Sequence, residues 1–412
     1  MLYIERNNCR ISDSKLETVL DLGTIYPSTF VKPGEGYDFE KVPLELCRGT
    51  ESNLVQLRHT VDRDSLYRQY WYKSQLNNTM VHHLQDIVDN ITERISIHPG
   101  DVIIDIGCND GIMLSMFPKY CFKIGIDPAN NLKTVASGNC TLFVNDYFSK
   151  EVLPPNLHAK IITSIAMFYD LDNPRKFIED ILSVMDREGT WVIQMTDLFC
   201  MLRANAFDNI VHEHLEYYSL DVLMKLLSEY NLFIWDIQYN LVNGGSVRLY
   251  ISRRDSSHRQ SINVLRASFV EDEYLRDDPS LKLFKDRIES IKSKVVNFIR
   301  RERDSYKSVY GLGASTKGNT LLQYFGLDHN DIIKIAEINP DKYGLETIGS
   351  RIPIVPNLYA FAENPDYFLI LPWHFAPDII SKCKLYMNKG MKFIVPCPEP
   401  MIIGRYGCKL ME

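Results

Sequence analysis

Apolar positions change their rhythm along this chain. Over residues 1–85 short apolar pieces are broken by turn signals such as Asp21-Leu22-Gly23 and Lys32-Pro33-Gly34-Glu35-Gly36. A helical period starts only at the end, where Leu76, Met80, Leu84, Ile87, Val88 and Ile91 share a face. This predicts a small irregular module leading into a helix. From 86 to 255, short apolar runs at 102–106, 123–126, 161–165 and 191–195 alternate with helical segments such as Phe177, Ile178, Ile181, Leu182 and Met185. That alternation predicts an α/β unit with a doubly wound, mainly parallel sheet. Over 256–305, Phe284, Ile288, Ile291, Val295 and Phe298 recur at spacings of 4, 3, 4 and 3. They predict one amphipathic helix whose apolar face packs between two domains, in preference to a coiled-coil seam. From 306 to 412 a second α/β pattern follows, with strands at 308–312, 332–338, 368–371 and 392–395 and a helix around 321–324. The reading is four segments: 1–85, 86–255, 256–305 and 306–412.

Composition narrows the class. The 412 residues are 45% hydrophobic and 24% charged, which suits an ordinary globular protein. A net charge of -7 excludes a general nucleic-acid or anionic-membrane binder, so a site for an anion must be locally basic. The nine Cys form no CxxC pair and read as reduced thiols. Residues 1–4 are apolar, but Glu5 and Arg6 follow at once, leaving no signal-peptide core, and no run is long enough to span a bilayer. A cytoplasmic protein is expected.

One loop carries most of the chemistry. Asp105-Ile-Gly107-Cys-Asn109-Asp110-Gly111 is a DxGxxxG motif directly after a strand. Gly107 allows a sharp turn, and Gly111 lets the backbone approach a ligand in the crevice at the strands' carboxyl ends. Asp105 can reach a cationic amino-acid moiety, and Asn109 and Asp110 complete the loop. The spacing is neither GxGxxG nor a P-loop. It points to S-adenosylmethionine (SAM), which has no phosphate to cradle. Asp127, 22 residues on at the end of the next strand, suits the ribose hydroxyls. Asp146 and Tyr147 suit an adenine contact.

The motifs resemble those of the three-domain, SAM-dependent nucleotide-sugar C-methyltransferases. The matching pieces are Asp21-Leu-Gly23 with Pro27 and Phe30, Tyr70-Trp-Tyr72-Lys-Ser74, the Asp105 loop with Ile112-Met-Leu114, and Met167-Phe-Tyr169-Asp-Leu171. They continue with His212-Glu-His214-Leu-Glu-Tyr-Tyr-Ser219, Asn243-Gly-Gly-Ser-Val-Arg248 and Gly311-Leu-Gly-Ala-Ser-Thr-Lys317-Gly318-Asn-Thr. The resemblance implies a small zinc-module-like N-terminal domain, a class I methyltransferase domain and a C-terminal Rossmann-like domain. It also implies His214 as the catalytic base. Three departures stand out. Cys9 and Cys47 are only half of the expected zinc ligands, so a metal-free module is expected. Val211 stands where some members have Tyr, and Tyr169 where some have His.

His212-Glu213-His214 lacks the HExxH spacing of zinc ligands. Two buried polar histidines or a general base remain, and an imidazole of ordinary pKa can take a proton without tuning. Glu213 could orient an imidazole or bind a sugar hydroxyl. Tyr72 or His212 is the candidate enolate donor, and Tyr70, Tyr169, Arg248 and Lys317 are candidates for substrate binding. Glu337 mimics the ribose acid of a nicotinamide site, but the glycine spacing before Lys317 is off pattern. The leading expectation is methyl transfer from SAM to a carbon of a nucleotide-linked keto-sugar by enolate formation. The alternatives are a sugar O-methyltransferase, a nicotinamide-dependent sugar dehydrogenase or epimerase, and a non-enzymatic nucleotide-sugar-binding subunit. Neither the sugar, the carbon, the nucleotide nor the oligomeric state is readable.

Overall fold

The fold is described by a computed structural model covering residues 3–278 and 281–411; Met1 and Leu2 of the apolar N-terminal stretch lie outside it. Its central layer is a seven-stranded sheet. In chain order the strands are β1 (Val102–Ile106), β2 (Phe122–Ile126), β3 (Leu142–Val144), β4 (Ala159–Ile165), β5 (Met185–Met195), β6 (Leu232–Asn240) and β7 (Ser246–Arg253). They lie in the order β6-β7-β5-β4-β1-β2-β3. The five from β5 to β3 are parallel, and β7 runs antiparallel to both β5 and β6. Strands covered on both faces can be apolar at every position, which is why the run at 102–106 shows no alternation. This is the doubly wound class I methyltransferase arrangement expected from the sequence. The helix α1 (Asn78–Arg94) covers one face with Leu84, Ile87, Val88 and Ile91 against Ile103, Ile161 and Val192.

The C-terminal sheet repeats this plan. Its strands are β8 (Val309–Leu312), β9 (Ile335–Glu337), β10 (Ile354–Pro356), β11 (Tyr367–Ile370), β12 (Lys392–Val395), β13 (Met401–Gly404) and β14 (Gly407–Leu410). The order β10-β9-β8-β11-β12-β13-β14 again reverses beside the first strand of the unit. In both sheets that reversal opens a crevice at the carboxyl ends of the strands, where ligands bind.

Two expectations need correction. Residues 1–85 are not irregular. Leu16–Ile25, Val42–Gly49 and Val55–Leu57 form an antiparallel sheet whose fourth strand, Glu216–Tyr217, comes from the central unit. Register shifts at Thr18/Leu20 and Asp21/Thr24 break the period-two alternation, so the pattern hides the strands. The segment 256–305 holds two helices, α2 (Ile262–Asp277) and α3 (Lys282–Asp304). Only α3 carries the regular stripe. Its Phe284, Ile288, Ile291, Val295 and Phe298 join the core formed by Leu20 and Leu22 of the N-terminal sheet and Val309 and Leu312 of β8. The stripe is thus interdomain packing.

The N-terminal sheet is also tied to the C-terminal unit. Phe30–Val31 pairs with Glu346–Thr347, and the Tyr26 backbone N–H donates to Gln323 Oε1 at 2.9 Å. The helix α4 (Thr316–Phe325) receives the Ser28 hydroxyl at the Thr316 carbonyl, at 2.9 Å. Among the described residues no helix is long and apolar enough to cross a membrane.

Candidate active site

The crevices of the two sheets open into one cavity of about 800 Å³. Asp105, Gly107 and Asn109 line it from β1, and Tyr169, Glu213 and His214 from the loops after β4 and β5. Lys317, Glu337 and His374 line it from the C-terminal unit, and Tyr70 and Tyr72 from a strap that crosses its mouth.

The loop after β1 is built for close approach. Gly107 has φ +72°, and a Cβ there would stand 3.1 Å from Met167 Cγ. Asp105 accepts from the Thr163 hydroxyl at 2.6 Å, and burial pushes its carboxyl up to about 7. Asp127 accepts the Asn109 backbone N–H at 2.8 Å and the Ala129 N–H at 2.9 Å; burial lifts it to about 6. No protein cation contributes to either shift. Two buried carboxyls on adjacent strand ends, lacking a protein cation, fit a ligand that brings an ammonium group and hydroxyls. The residues present therefore suit SAM; Asp105 lines the cavity directly, while Asp127 lies behind Asn109 and does not line it.

The rest of the expected cofactor set lies elsewhere. Asp110 accepts the Gln75 and Ile112 backbone N–H groups, so it holds the strap and starts a helix. Gly111 has φ +73° and is packed against Ala136 and Asn139, away from the cavity wall. Asp146 pairs with Arg68 at 3.2 Å, and the Tyr147 hydroxyl donates to Asp64 at 2.9 Å under the Arg63 guanidinium. Asp146 and Tyr147 are thereby engaged by Arg63, Asp64 and Arg68 of the helix Arg63–Tyr67 and its C-terminal cap, and neither lines the cavity.

The His-Glu-His segment is divided by the fold. His212 turns toward the N-terminal sheet, where Nε2 lies 3.1 Å from the Val42 carbonyl oxygen. It does not line the cavity. His214 faces the cavity, and its Nδ1–H donates to the Asn209 carbonyl at 2.8 Å. That bond leaves Nε2 as the lone-pair nitrogen. The Tyr169 ring packs against it at 4.3 Å between centroids. The imidazole is not ordinary, as sequence reasoning assumed. Burial, with Lys317 adding to it, lowers His214 to about 3, whereas burial raises Glu213 to about 7.

Tyr70 lies at the Glu213–Tyr169 end of the cavity, and those two groups with Asp170 add to the burial that pushes its phenol up. Tyr72 lines the cavity as well, and burial, with Asp110 adding to it, pushes its phenol up. Arg248 is buried and engaged by Gln194 at 3.0 Å and Asp86 at 2.8 Å behind the cavity, so it is no free cation for substrate. Glu337 lines the cavity, with Oε2 accepting the Ala314 backbone N–H of the glycine loop and Oε1 those of Ile338 and Asn339.

Cys9 Sγ lies 3.1 Å from Ser52 Oγ, while Cys47 Sγ lies 3.8 Å from Glu45 Oε1. Among the described residues no group of three or more His, Cys, Asp or Glu could hold a metal ion.

Sequence reasoning missed Asn209, Tyr67 and His374. Asn209 anchors His214 through its carbonyl and Lys317 through its side chain. The Tyr67 hydroxyl donates to the Glu213 carbonyl at 2.8 Å. The only signal was a polar pair, Asp208-Asn209, set between Phe207 and Ile210 just before the His-Glu-His segment.

The sheet order, the glycine turn after β1 and the buried acids after β1 and β2 define a class I methyltransferase. Residues 80–237 match the family model of a methyltransferase domain, and residues 241–398 that of a C-methyltransferase C-terminal domain. The curated C-methyltransferase NovU of Streptomyces niveus is 29% identical over 368 residues, covering 88% of each chain. The chain is thus a SAM-dependent C-methyltransferase. Among solved structures, the plantazolicin methyltransferase BpumL in complex with SAH aligns at a TM-score of 0.34 and 14% identity, over 42% of this chain and 82% of that one. The magnesium protoporphyrin IX methyltransferase ChlM from Synechocystis PCC 6803 with bound SAM aligns at 0.33 and 12%, over 42% and 79%.

Proposed function

We propose that the protein methylates a carbon of a nucleotide-linked keto-sugar, with His214 as the base that forms the enolate. The observation that carries this reading is the His214 imidazole, held by Asn209 with Nε2 free, on the wall of a cavity large enough for SAM and a nucleotide-sugar together. The named activity of NovU and the motif resemblance support the sugar substrate. The C-terminal crevice, whose glycine loop departs from the GxGxxG spacing, suits the nucleotide-sugar better than a nicotinamide.

When bound, SAM supplies a methyl group that a carbon nucleophile can attack. The chain's own residues prepare that nucleophile. Asp105 holds one polar end of the donor, and the strap at 70–75 closes over it. His214 Nε2 takes the proton from the carbon beside the carbonyl. Positioned bases contribute about 100- to 10,000-fold, and holding donor and acceptor together supplies more. The Tyr169 ring packs against the imidazole, and Tyr70 lines the same cavity. Glu213 is placed for a sugar hydroxyl.

The test is methyl transfer from methyl-¹³C SAM to thymidine- and uridine-diphosphate 4-keto-6-deoxyglucose, read by carbon NMR. A new carbon-bound methyl supports the reading. An oxygen-bound methyl makes the enzyme a sugar O-methyltransferase, and no product on either sugar rejects this substrate class.

A further inference from the structure

The C-terminal unit delivers an ammonium group to the site of proton abstraction. Lys317 sits in the first turn of α4, after the glycine loop, and lines the shared cavity. Its Nζ donates to Asn209 Oδ1 at 2.5 Å. Asn209 belongs to the other unit, and its carbonyl oxygen accepts His214 Nδ1–H. One residue therefore clasps both the ammonium and the imidazole. The Asn209 amide nitrogen is used as well, donating to the Ala206 carbonyl at 3.1 Å, which fixes the orientation of the clasp.

The surroundings give the ammonium no counter-ion. Among the described residues no carboxylate oxygen lies within 4.0 Å of Lys317 Nζ. Asp208 is nearby, but its Oδ2 accepts from Trp373 Nε1 at 2.9 Å. Asp170 and Glu213 also face the ammonium, and burial pushes Asp170, Asp208 and Glu213 all toward their neutral forms. Lys317 is half-buried; burial lowers its ammonium, Asp208, Glu213 and Asp170 act against that, and an anion joining it favours the charged form. Here the open side is the cavity.

We propose that Lys317 is the cation that meets the enolate oxygen, held at a set separation from the base by Asn209. This rests on the keto-sugar reading above. In the step concerned, the C–H bond breaks and its proton passes to His214 Nε2. The electron pair of that bond becomes the carbon–carbon π bond, and the carbonyl π pair moves to oxygen. The new negative charge forms beside Lys317. This accounts for a base that burial and Lys317 together make reluctant: imidazolium is tolerated once an anion neutralises the ammonium. It also makes the C-terminal unit part of the chemistry rather than only a nucleotide holder, which distinguishes the role from binding of the substrate diphosphate.

The experiment uses the full chain, with sinefungin in the methyl-donor site and the two keto-sugar nucleotides named above in heavy water. Exchange of the carbon-bound hydrogen is followed by NMR at saturating sugar. Lys317→Met, nearly isosteric but neutral, should lose about 100- to 1,000-fold in exchange rate, the range seen when one oxyanion donor is removed. Sinefungin affinity and the affinity for thymidine diphosphate and uridine diphosphate should stay within threefold. Lys317→Ala should recover at least tenfold when propylammonium is added, and Lys317→Met, whose side chain fills the space, should not. Exchange by Lys317→Met within threefold of wild type overturns the proposal. So does a large loss of diphosphate affinity with exchange at saturation intact, which returns Lys317 to phosphate binding. If Lys317→Met fails to bind sinefungin, absence of rescue in a sinefungin-binding Lys317→Ala or Lys317→Arg exchanging no better than Lys317→Ala counts against it. No exchange in wild type on either sugar removes the enolate itself, and the reading of the substrate falls first.

Discussion

His212 and His214 are two residues apart and have opposite fates. His212 binds the Val42 carbonyl in the N-terminal sheet, and His214 faces the cavity. His214→Ala should abolish hydrogen exchange from a keto-sugar nucleotide while sinefungin still binds. His212→Ala should keep exchange and lose about 1–3 kcal/mol of stability, the usual cost of leaving a buried partner unsatisfied. Urea unfolding and the exchange assay read the two effects separately; loss of exchange in His212→Ala alone would reverse the assignment. Glu213 gives a pH signature. Its carboxyl is raised from 4.5 to about 7 by burial, so the fold favours the protonated form. That contribution is complete below about pH 4.5 and is lost as pH rises through about 7, on the order of 3 kcal/mol. Glu213→Gln lacks it. The melting temperature of the variant should therefore gain on wild type between pH 5 and 8. Parallel pH curves would show that Glu213 does not titrate in this range. A short pattern names the residue types at this scale, but the face each side chain presents follows from which sheet packs against it.

At the scale of elements, the strap over residues 70–75 is fastened by side chains of the loop it covers. Asn109 Oδ1 accepts the Ser74 backbone N–H at 3.0 Å, and Asn109 Nδ2 donates to the Tyr72 carbonyl at 3.0 Å. Asn131 grips Tyr70 in the same way, through both its backbone N–H and its carbonyl. The strap itself has little regular structure, so these bonds stand in for a ladder. Asn109→Ala should raise amide exchange over 72–75 and speed SAM dissociation, measured by hydrogen exchange and stopped-flow. Unchanged protection there would mean that the strap is held by packing alone. Strands β1 and β2 and the stripe of α3 were legible because their periods are local. The N-terminal strands were not, because their register shifts hide the alternation until the partner strand is known.

For the whole molecule, the N-terminal sheet takes one strand from the central unit and pairs with the C-terminal unit through Phe30–Val31. It therefore fixes the angle at which the two crevices meet. The module does this with Cys9 against Ser52 and an apolar interior, with Cys47 turned toward Glu45. Protein purified without chelator should contain well under one zinc per chain by elemental analysis, and chelator should leave its melting temperature unchanged. Near-stoichiometric zinc would show ligands that this arrangement does not provide.

The amino-acid sequence by itself determined the two α/β units, the glycine turn at Gly107, the acids Asp105 and Asp127, and the His-Glu-His segment. Each rests on contacts within a few residues: hydrophobic period, a backbone needing φ > 0, or a carboxylate at a strand end. The tertiary structure alone decided that His214 faces inward, that Arg248 is spent behind the sheet, that Asp146 and Tyr147 serve the Arg63–Tyr67 helix, and that Lys317 joins His214 on Asn209. Lys317 and Asn209 are separated by 108 residues. Their meeting depends on three sheets docking at one angle, and the electrostatics follow from the water that docking excludes. Local pattern cannot encode that, because the charge state of a buried group is set by everything packed around it.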